Sequence, residues 1–251
     1  MEPHIAVRRS LGIFLACIAW DAAICLGIAF LVRIPMAIAA PAIVMVVGVG
    51  YIATYRRMDS KILTKIKAEP IEIGNFPRYE NLVEGVCVAH GFRQPDLFVI
   101  RDSAPNMLMV GRNSLNGSLV ATTGLLDRVT RVELEGLITH ELSRTRNRLT
   151  LLESTAAVLI ARPMFFLPKL VERITRKIFN PWVVAETDIL AVRMTRYPTG
   201  LADALKSLHS DGREPTHNPK FCRHMWVHPP KNPLIVAGFS TLDRVVALGE
   251  L

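Results

Sequence analysis

The chain has 251 residues, of which half are hydrophobic, and a formal net charge of +8. No basic stripe with interleaved aromatic residues and no zinc-finger spacing accompanies this charge, which excludes the common nucleic-acid-binding classes. Its four cysteines, Cys17, Cys25, Cys87 and Cys222, form no CxxC pair, which argues against a disulfide framework and a cysteine zinc knuckle.

Two apolar runs dominate the first fifth of the chain. They cover residues 11–32 and 34–54 and are separated by Arg33. Each is about 20 residues long, the length that a helix needs to cross a bilayer. A second run directly after the first argues against a cleaved signal peptide. We therefore predict a transmembrane hairpin anchor at residues 1–57 and a separate domain at residues 58–251.

Basic residues flank this hairpin on both outer sides. Arg8 and Arg9 precede the first run, and five further cations follow the second: Arg56, Arg57, Lys61, Lys65 and Lys67. The positive-inside rule then predicts that both ends, and the domain, face the cytoplasm. The family resemblance given below implies that the membrane is a bacterial inner (plasma) membrane.

Asp21 lies in the middle of the first run. An unpaired carboxylate at the centre of a membrane helix costs about 2.5–3.5 kcal/mol on insertion scales, so Asp21 is expected to face protein. We predict an integral membrane partner or complex that contacts Asp21. The alternative is pairing within the hairpin, near Gly48 or Gly50.

Beyond the hairpin, helical and strand-like segments alternate. The spacing predicts a helix over residues 79–90 that ends at Gly91, followed by a small sheet. The strand-like segments are residues 97–100, 107–110 and 118–122. Thr130 and Glu133 form a capping box that opens the next helix. Residues 149–170 are too interrupted to span a membrane and predict a core or membrane-surface helix.

The remaining segments predict three helices and one long loop. The helices cover residues 183–195, 199–209 and 241–251. The loop covers residues 211–233 and contains Cys222, His224 and His228, whose sparse spacing favours a solvated loop over a metal site.

The chemistry of the chain concentrates at residues 140–144, His-Glu-Leu-Ser-Arg. In a zincin, His-Glu-x-x-His on one helix face binds Zn²⁺ through both imidazoles, and the Glu is the general base. Here Arg144 replaces the second histidine. A guanidinium stays protonated and has no lone pair to donate, so Arg144 cannot bind the metal. Glu141 and Arg144 are three residues apart on a helix and are predicted to pair.

The surrounding motifs make the His-Glu pair specific. They occur in a fixed order, both before and after it: Ser103-Ala104-Pro105-Asn106, Val110-Gly111-Arg112-Asn113, Thr122-Thr123-Gly124-Leu125-Leu126, Glu133-Leu134-Glu135-Gly136, Asn147-Arg148, Arg196-Tyr197-Pro198 and Phe239-Ser240-Thr241. With these motifs, residues 75–251 resemble the HtpX membrane zinc metallopeptidases, which are relatives of the CAAX-prenyl endopeptidases. The apolar hairpin matches the same family.

This resemblance implies an α+β, gluzincin-like metallopeptidase domain, with helices and a small mixed sheet. It also implies a third zinc ligand from a Glu-x-x-x-Asp pattern, which falls on residues 184–188. The aspartate is present as Asp188 and would orient His140, whereas Val184 occupies the ligand position. Glu186, two positions further, is turned about 200° around a helix and is a weak substitute. His140 and Glu141 would then be a vestigial ligand and a vestigial general base.

Two hypotheses remain open at this point. In the first, the chain is an inactive homologue that binds no zinc and serves as an interaction or accessory subunit of a membrane protein complex, and its groove edge pairs with extended peptides. In the second, it is an active zinc endopeptidase of membrane protein quality control with a rearranged metal site. Neither hypothesis involves nucleic acid.

Overall fold

The computed structural model describes residues 3–112, 117–159, 173, 178–179, 182–231 and 239–250. Asn113 and residues 160–170, on which parts of the sequence interpretation fall, lie outside the described residues. Ten α-helices, a 3-10 helix and four strands lie within these ranges. They are α1 (Pro3–Leu31), α2 (Met36–Arg56), α3 (Met58–Lys65), β1 (Glu69–Pro70), α4 (Pro77–His90), β2 (Asp96–Ile100), β3 (Met107–Gly111), β4 (Gly117–Thr122), α5 (Thr123–Arg128), α6 (Arg131–Arg146), α7 (Leu149–Leu159), α8 (Trp182–Thr195), α9 (Pro198–Asp211), the 3-10 helix (Lys220–Met225) and α10 (Thr241–Gly249).

The four strands form one mixed sheet in the order β1-β2-β4-β3. β2 and β4 are parallel, and the two outer pairings are antiparallel. Side chains alternate between the faces of a strand, and β3 follows this rule. Met107 and Met109 enter the core beneath the sheet, and Leu108 and Val110 enter the core above it. The sheet is therefore covered on both faces.

Different helices cover these two faces. The lower core contains residues of α4, α6 and α9. The upper core contains Met58, Ile62 and Ile66 of α3 and its C-cap, residues of α7, and Trp226, which follows the 3-10 helix. α6 consequently lies between the sheet and α8 and α9, in the centre of the domain.

The hairpin shares a core with this domain. α1 buries a stripe spaced three or four residues apart, Ala6, Ser10, Ile13 and Cys17, and it packs along α7. Residues 152, 156 and 159 of α7 contact this stripe. The outer surfaces of α1 and α2 are exposed and apolar, and both helices are long and apolar enough to cross a membrane. The first half of α1 is thus both part of the hairpin and part of the domain core.

The fold class expected from the sequence is confirmed: a helix-rich α+β domain with a small mixed sheet and two N-terminal apolar helices. The capping box at Thr130 forms in both directions, and Gly91 ends α4 with a φ of 68°. Residues 149–159 are a buried core helix. The short elements α3, β1 and α5 were not anticipated, since two to eight residues carry too little periodicity to predict.

Candidate functional site

Helix α6 carries the His-Glu-x-x-Arg motif into the middle of the domain. Its capping box fixes the helix start, with Thr130 N donating to Glu133 Oε2 at 2.6 Å. From there the helix passes beneath β3, and nearly every residue of its second half is buried. His140, Glu141 and Arg144 are exposed by only 2%, 0% and 5%. Groups of this polarity are seldom buried without partners, so their contacts define what the site can do.

Arg144 is surrounded by two carboxylates and a carbonyl. Its Nη1 donates to both oxygens of Glu141, at 2.6 and 2.9 Å, and to the carbonyl oxygen of Met225 at 3.0 Å. Its Nη2 donates to Glu153 of α7. The predicted pairing of Glu141 with Arg144 is confirmed. The structure adds Glu153, which the sequence interpretation treated only as an interruption of an apolar segment.

Burial and pairing compete in the ionisation of this cluster. Burial alone would lower the pKa of Arg144, but the charges of Glu141 and Glu153 outweigh it and raise that pKa above its ordinary value. Burial raises the pKa of Glu153 to about 7, because the nearby charge of Arg144 offsets only part of the desolvation and Glu141 repels it. A permanent cation and two carboxylates thus share one desolvated space.

His140 connects this cluster to a second ion pair. Its Nδ1 lies 2.9 Å from Oδ1 of Asp188, although it makes no well-aligned hydrogen bond, and its Nε2 lies 3.8 Å from Glu141 Oε1. Asp188 accepts two bonds of 2.8 Å from Arg244 of α10. Burial would raise the pKa of Asp188, but Arg244 and then His140 outweigh it and hold that pKa well below its usual range.

The two candidate ligand positions on α8, Val184 and Glu186, lie on different sides of the helix. Val184 is half-buried and lines a small cavity of about 30 Å³ together with His140, Arg144 and Glu153. Glu186 is exposed and does not line it. An aliphatic side chain therefore faces the interior where the family resemblance implies a ligand, and the carboxylate proposed as a substitute lies on the solvent side of α8.

The 3-10 helix corrects one expectation. Cys222 and His224 are buried, so the prediction of a solvated loop is wrong for both. His224 Nε2 lies 3.3 Å from the carbonyl oxygen of Glu153, and its ring stacks edge-on against Phe179. Burial lowers the pKa of His224 to about 4, so the imidazole is neutral at physiological pH. The same cavity of about 30 Å³ is lined by His224, but Cys222 does not reach it.

The donors around the cavity do not fit a zinc ion. Structural and catalytic zinc sites use three or four nitrogen, sulfur or oxygen donors of the protein. Here Arg144 and Val184 stand at the two positions where the family resemblance implies the second and third ligands, and neither side chain can donate a lone pair to a metal. Within the described ranges, no group of three His, Cys, Asp or Glu side chains has a geometry that could hold a metal ion.

The free edge of β3 is already paired with the chain itself. Trp226 forms an antiparallel bridge with Leu108, and Val227 N donates to the Met107 carbonyl at 2.9 Å. Asn106 exchanges two bonds with the backbone of His228, at 2.8 and 3.3 Å. An extended peptide could reach this edge only by displacing residues 226–228.

These residues are also fixed from the site side. The Met225 carbonyl accepts from Arg144, and Arg244 Nη1 donates to the Val227 carbonyl at 2.8 Å. The two arginines therefore bind the segment above the site as well as the carboxylates beneath it. Nothing in the sequence pattern placed Arg244 here, since it is 56 residues from Asp188 in the chain.

Asp21 has a partner within the hairpin. Tyr51 of α2 donates its hydroxyl to Asp21 Oδ2 at 2.8 Å, and the Tyr51 ring stacks edge-on against Phe14. The pairing therefore follows the alternative considered from the sequence, with a side chain of α2 instead of the backbone near Gly48 or Gly50. A contact of Asp21 with a second protein stays a prediction.

Comparison with known proteins supplies the family. No protein-family model matches the chain. A Protease HtpX homolog of Dictyoglomus thermophilum is 30% identical over 198 residues, which covers 66% of this chain and 65% of the relative. A Protease HtpX homolog of Caldanaerobacter subterraneus subsp. tengcongensis is 36% identical over 104 residues, 41% of this chain and 35% of the relative. Protease HtpX of Legionella pneumophila subsp. pneumophila is 34% identical over 112 residues, covering 45% and 39%.

These matches span less than two thirds of the length of the curated relatives. They agree with the ordered motifs around His140 and with the two apolar helices that accompany them. The chain is therefore a homologue of the HtpX proteases.

Proposed function

We propose that this chain is a catalytically inactive member of its family, anchored in the bacterial inner membrane with its domain in the cytoplasm. In this proposal it acts as an interaction or accessory subunit of a membrane protein complex. One observation supports it: the Arg144 guanidinium, at the position where the family resemblance implies a second metal ligand, is bound by Glu141 and Glu153. A cation fixed there repels a metal ion and neutralises the carboxylate that would activate water.

The chemistry of hydrolysis supports this proposal. A metallopeptidase uses its metal to lower the pKa of a bound water toward about 7, and the general base then removes the proton. Without a metal, Glu141 has no adequately acidic water to deprotonate. Both of its oxygens already accept hydrogen bonds from Arg144. The alternative, an active zinc endopeptidase, would have to recruit Glu186 from the exposed side of α8.

The orientation and the membrane partner are parts of the same proposal. The cations that follow α2 favour a cytoplasmic domain by the positive-inside rule. A partner would bind the exposed apolar surfaces of α1 and α2, where Asp21 and Tyr51 provide a polar pair inside the membrane layer. Polar groups at such depth usually form hydrogen bonds with other protein groups. A second helix that offers both apolar and polar side chains would therefore fit this pair.

The experiment compares complexes purified in gentle detergent from cells that make the tagged wild-type chain, Glu141→Gln or Asp21→Leu. The proposal predicts a larger assembly by native mass measurement, retained in Glu141→Gln and lost in Asp21→Leu. Tyr51→Phe is compared with Asp21→Leu, because it keeps the carboxylate and removes only the hydroxyl group that donates a hydrogen bond to Asp21. Abundance of each variant is measured in the same cells, since Glu141 is buried. A lone monomer for the wild type, together with a cellular defect in Glu141→Gln at normal abundance, would refute the proposal.

A further inference from the structure

A groove of about 700 Å³ lies where the second apolar helix meets the domain. One wall consists of apolar side chains from the end of α7 and the 3-10 helix: Ala157, Val158, Leu159 and Phe221. The opposite wall consists of the last turns of α2 and the exposed side of α3. The volume is within the range of about 300–1,000 Å³ that is typical of sites for small molecules. None of the described residues lines both this groove and the cavity at His140.

The rim of the groove is cationic and rich in hydroxyls. Lys61 and Lys65 are four residues apart on α3 and therefore lie on one face, next to Arg57. Ser60 and Thr64 add hydroxyl groups to the same lining. The opposite face of α3 is buried in the upper core, which fixes the rotation of this short helix. Among the described residues, no carboxylate lies within ion-pair distance of these three cations.

The rim lies at the level where α2 leaves its apolar span. Only Arg57 separates α2 from α3, and Lys61 Nζ donates to Thr54 Oγ1 in the last turns of α2 at 3.4 Å. Ile52, just before, is exposed and apolar. The charged side of the groove therefore coincides with the end of the apolar surface, which is where lipid headgroups lie along a membrane helix.

We propose that this groove binds one anionic phospholipid of the surrounding bilayer. The phosphate contacts Lys61, Lys65 and Arg57, the headgroup oxygens contact the hydroxyls of α3, and the upper part of an acyl chain lies against Val158 and Leu159. Charge selects the ligand, because three cations that form no ion pair with a described carboxylate favour an anion, and the apolar wall favours an amphiphile over a free ion. A peptide is a poorer occupant, since the described lining residues all belong to helices and their flanking residues and offer no strand edge. The proposal does not depend on whether the His140 site is catalytic.

Native mass spectrometry of the full chain released from nanodiscs tests this proposal. The nanodiscs contain equal amounts of phosphatidylglycerol and phosphatidylcholine. The variant Lys61→Gln/Lys65→Gln removes two rim charges from exposed positions, and Lys67→Gln/Lys206→Gln removes the same charge from exposed positions outside the groove. The wild type and the control variant are expected to retain one phosphatidylglycerol. The groove variant is expected to bind phosphatidylglycerol at least about tenfold more weakly. Millimolar inorganic phosphate is expected to leave the lipid bound.

A second measurement locates the lipid without any substitution. A phosphatidylglycerol with a photoreactive acyl chain, crosslinked to the wild-type chain, is expected to label peptides that contain Val158, Leu159 or Phe221. Equal retention of the two lipids, equal loss in the two double variants, displacement by phosphate, or labelling only on the outer surfaces of α1 and α2 would each overturn the proposal.

Discussion

Replacement of Arg144 by methionine tests the ion cluster most sharply. The substitution keeps an unbranched apolar side chain of similar length in the interior and removes the one cation that Glu141 and Glu153 share. Breaking a buried ion pair by removing one partner typically costs about 3–5 kcal/mol, because the remaining charge is left desolvated. Here two carboxylates and the Met225 carbonyl lose their donor together. We therefore expect Arg144→Met to lose at least about 3–5 kcal/mol of unfolding free energy.

The size of this loss makes it measurable in detergent. For a chain of about 150–250 residues, 1 kcal/mol corresponds to about 2–4 °C in the midpoint of thermal unfolding, so a decrease of roughly 10 °C is expected. The matched control is the triple variant Arg144→Met/Glu141→Leu/Glu153→Leu, which removes the cation and both carboxylates. Replacing a whole buried ion cluster with apolar residues is often close to neutral. The triple variant should therefore recover most of the loss.

The assay follows the soluble, monodisperse fraction after heating, by size-exclusion chromatography of the full chain. An Arg144→Met chain with a midpoint within about 2 °C of the wild type would refute the reasoning, since roughly 1 kcal/mol or less would then depend on the cation. A triple variant no more stable than Arg144→Met would show that shape, and not the uncompensated carboxylates, accounts for the loss.

Two further changes address the helix packing and the second ion pair. In Gly136→Ala the added Cβ would lie 2.9 Å from Leu201 N, which is too close for an unstrained contact. Such overpacking typically costs about 1–3 kcal/mol, so the domain is expected to be destabilised by that amount in the same heating assay. Gly85→Ala, on an exposed helix face with no atom within 4 Å, should instead stabilise by about 0.5–1 kcal/mol. The folded state holds the pKa of Asp188 below its unfolded value of 3.8, so the ionised carboxylate contributes stability above pH 3.8. This stability is lost as the pH falls from 3.8 toward the lower folded-state pKa. Asp188→Asn should remove this acid-dependent contribution. The dependence of stability on pH between pH 6 and about pH 3 should therefore be flatter for Asp188→Asn, whose amide keeps only one of the two oxygens that accept from Arg244.

Local signals predicted much of this fold. The capping box at Thr130, the glycine that ends α4 and the short strand-like segments are set by neighbours within a few residues, so the sequence alone was sufficient for them. The pairing of Glu141 with Arg144 was predictable for the same reason, because one helical turn brings the two side chains together.

The rest of the site depends on contacts between distant elements. Glu153 meets Arg144 only because α7 folds back over α6, and Arg244 meets Asp188 only when α10 docks against α8. One signal for Glu153 was present: a carboxylate in an otherwise apolar helix is almost never buried without a partner. No comparable signal existed for Arg244, since α10 is amphipathic and a basic residue on such a helix is usually solvated.

The pairing of residues 226–228 with β3 could not be predicted either. This segment was interpreted as loop because prolines and polar residues surround it, and a single antiparallel bridge has no periodicity to detect. The buried ring of Trp226 in the upper core holds it in place.

Zinc content is the most direct test of the central claim, that Arg144 and Val184 have replaced two metal ligands. The full chain is purified without chelator, treated briefly with a weak chelator, and analysed for metal by elemental mass spectrometry against the protein concentration. We predict far less than one zinc per chain, because His140 alone cannot retain the ion when three or four donors are normally required. One zinc per chain that survives the chelator, and is lost in His140→Ala, would contradict the account.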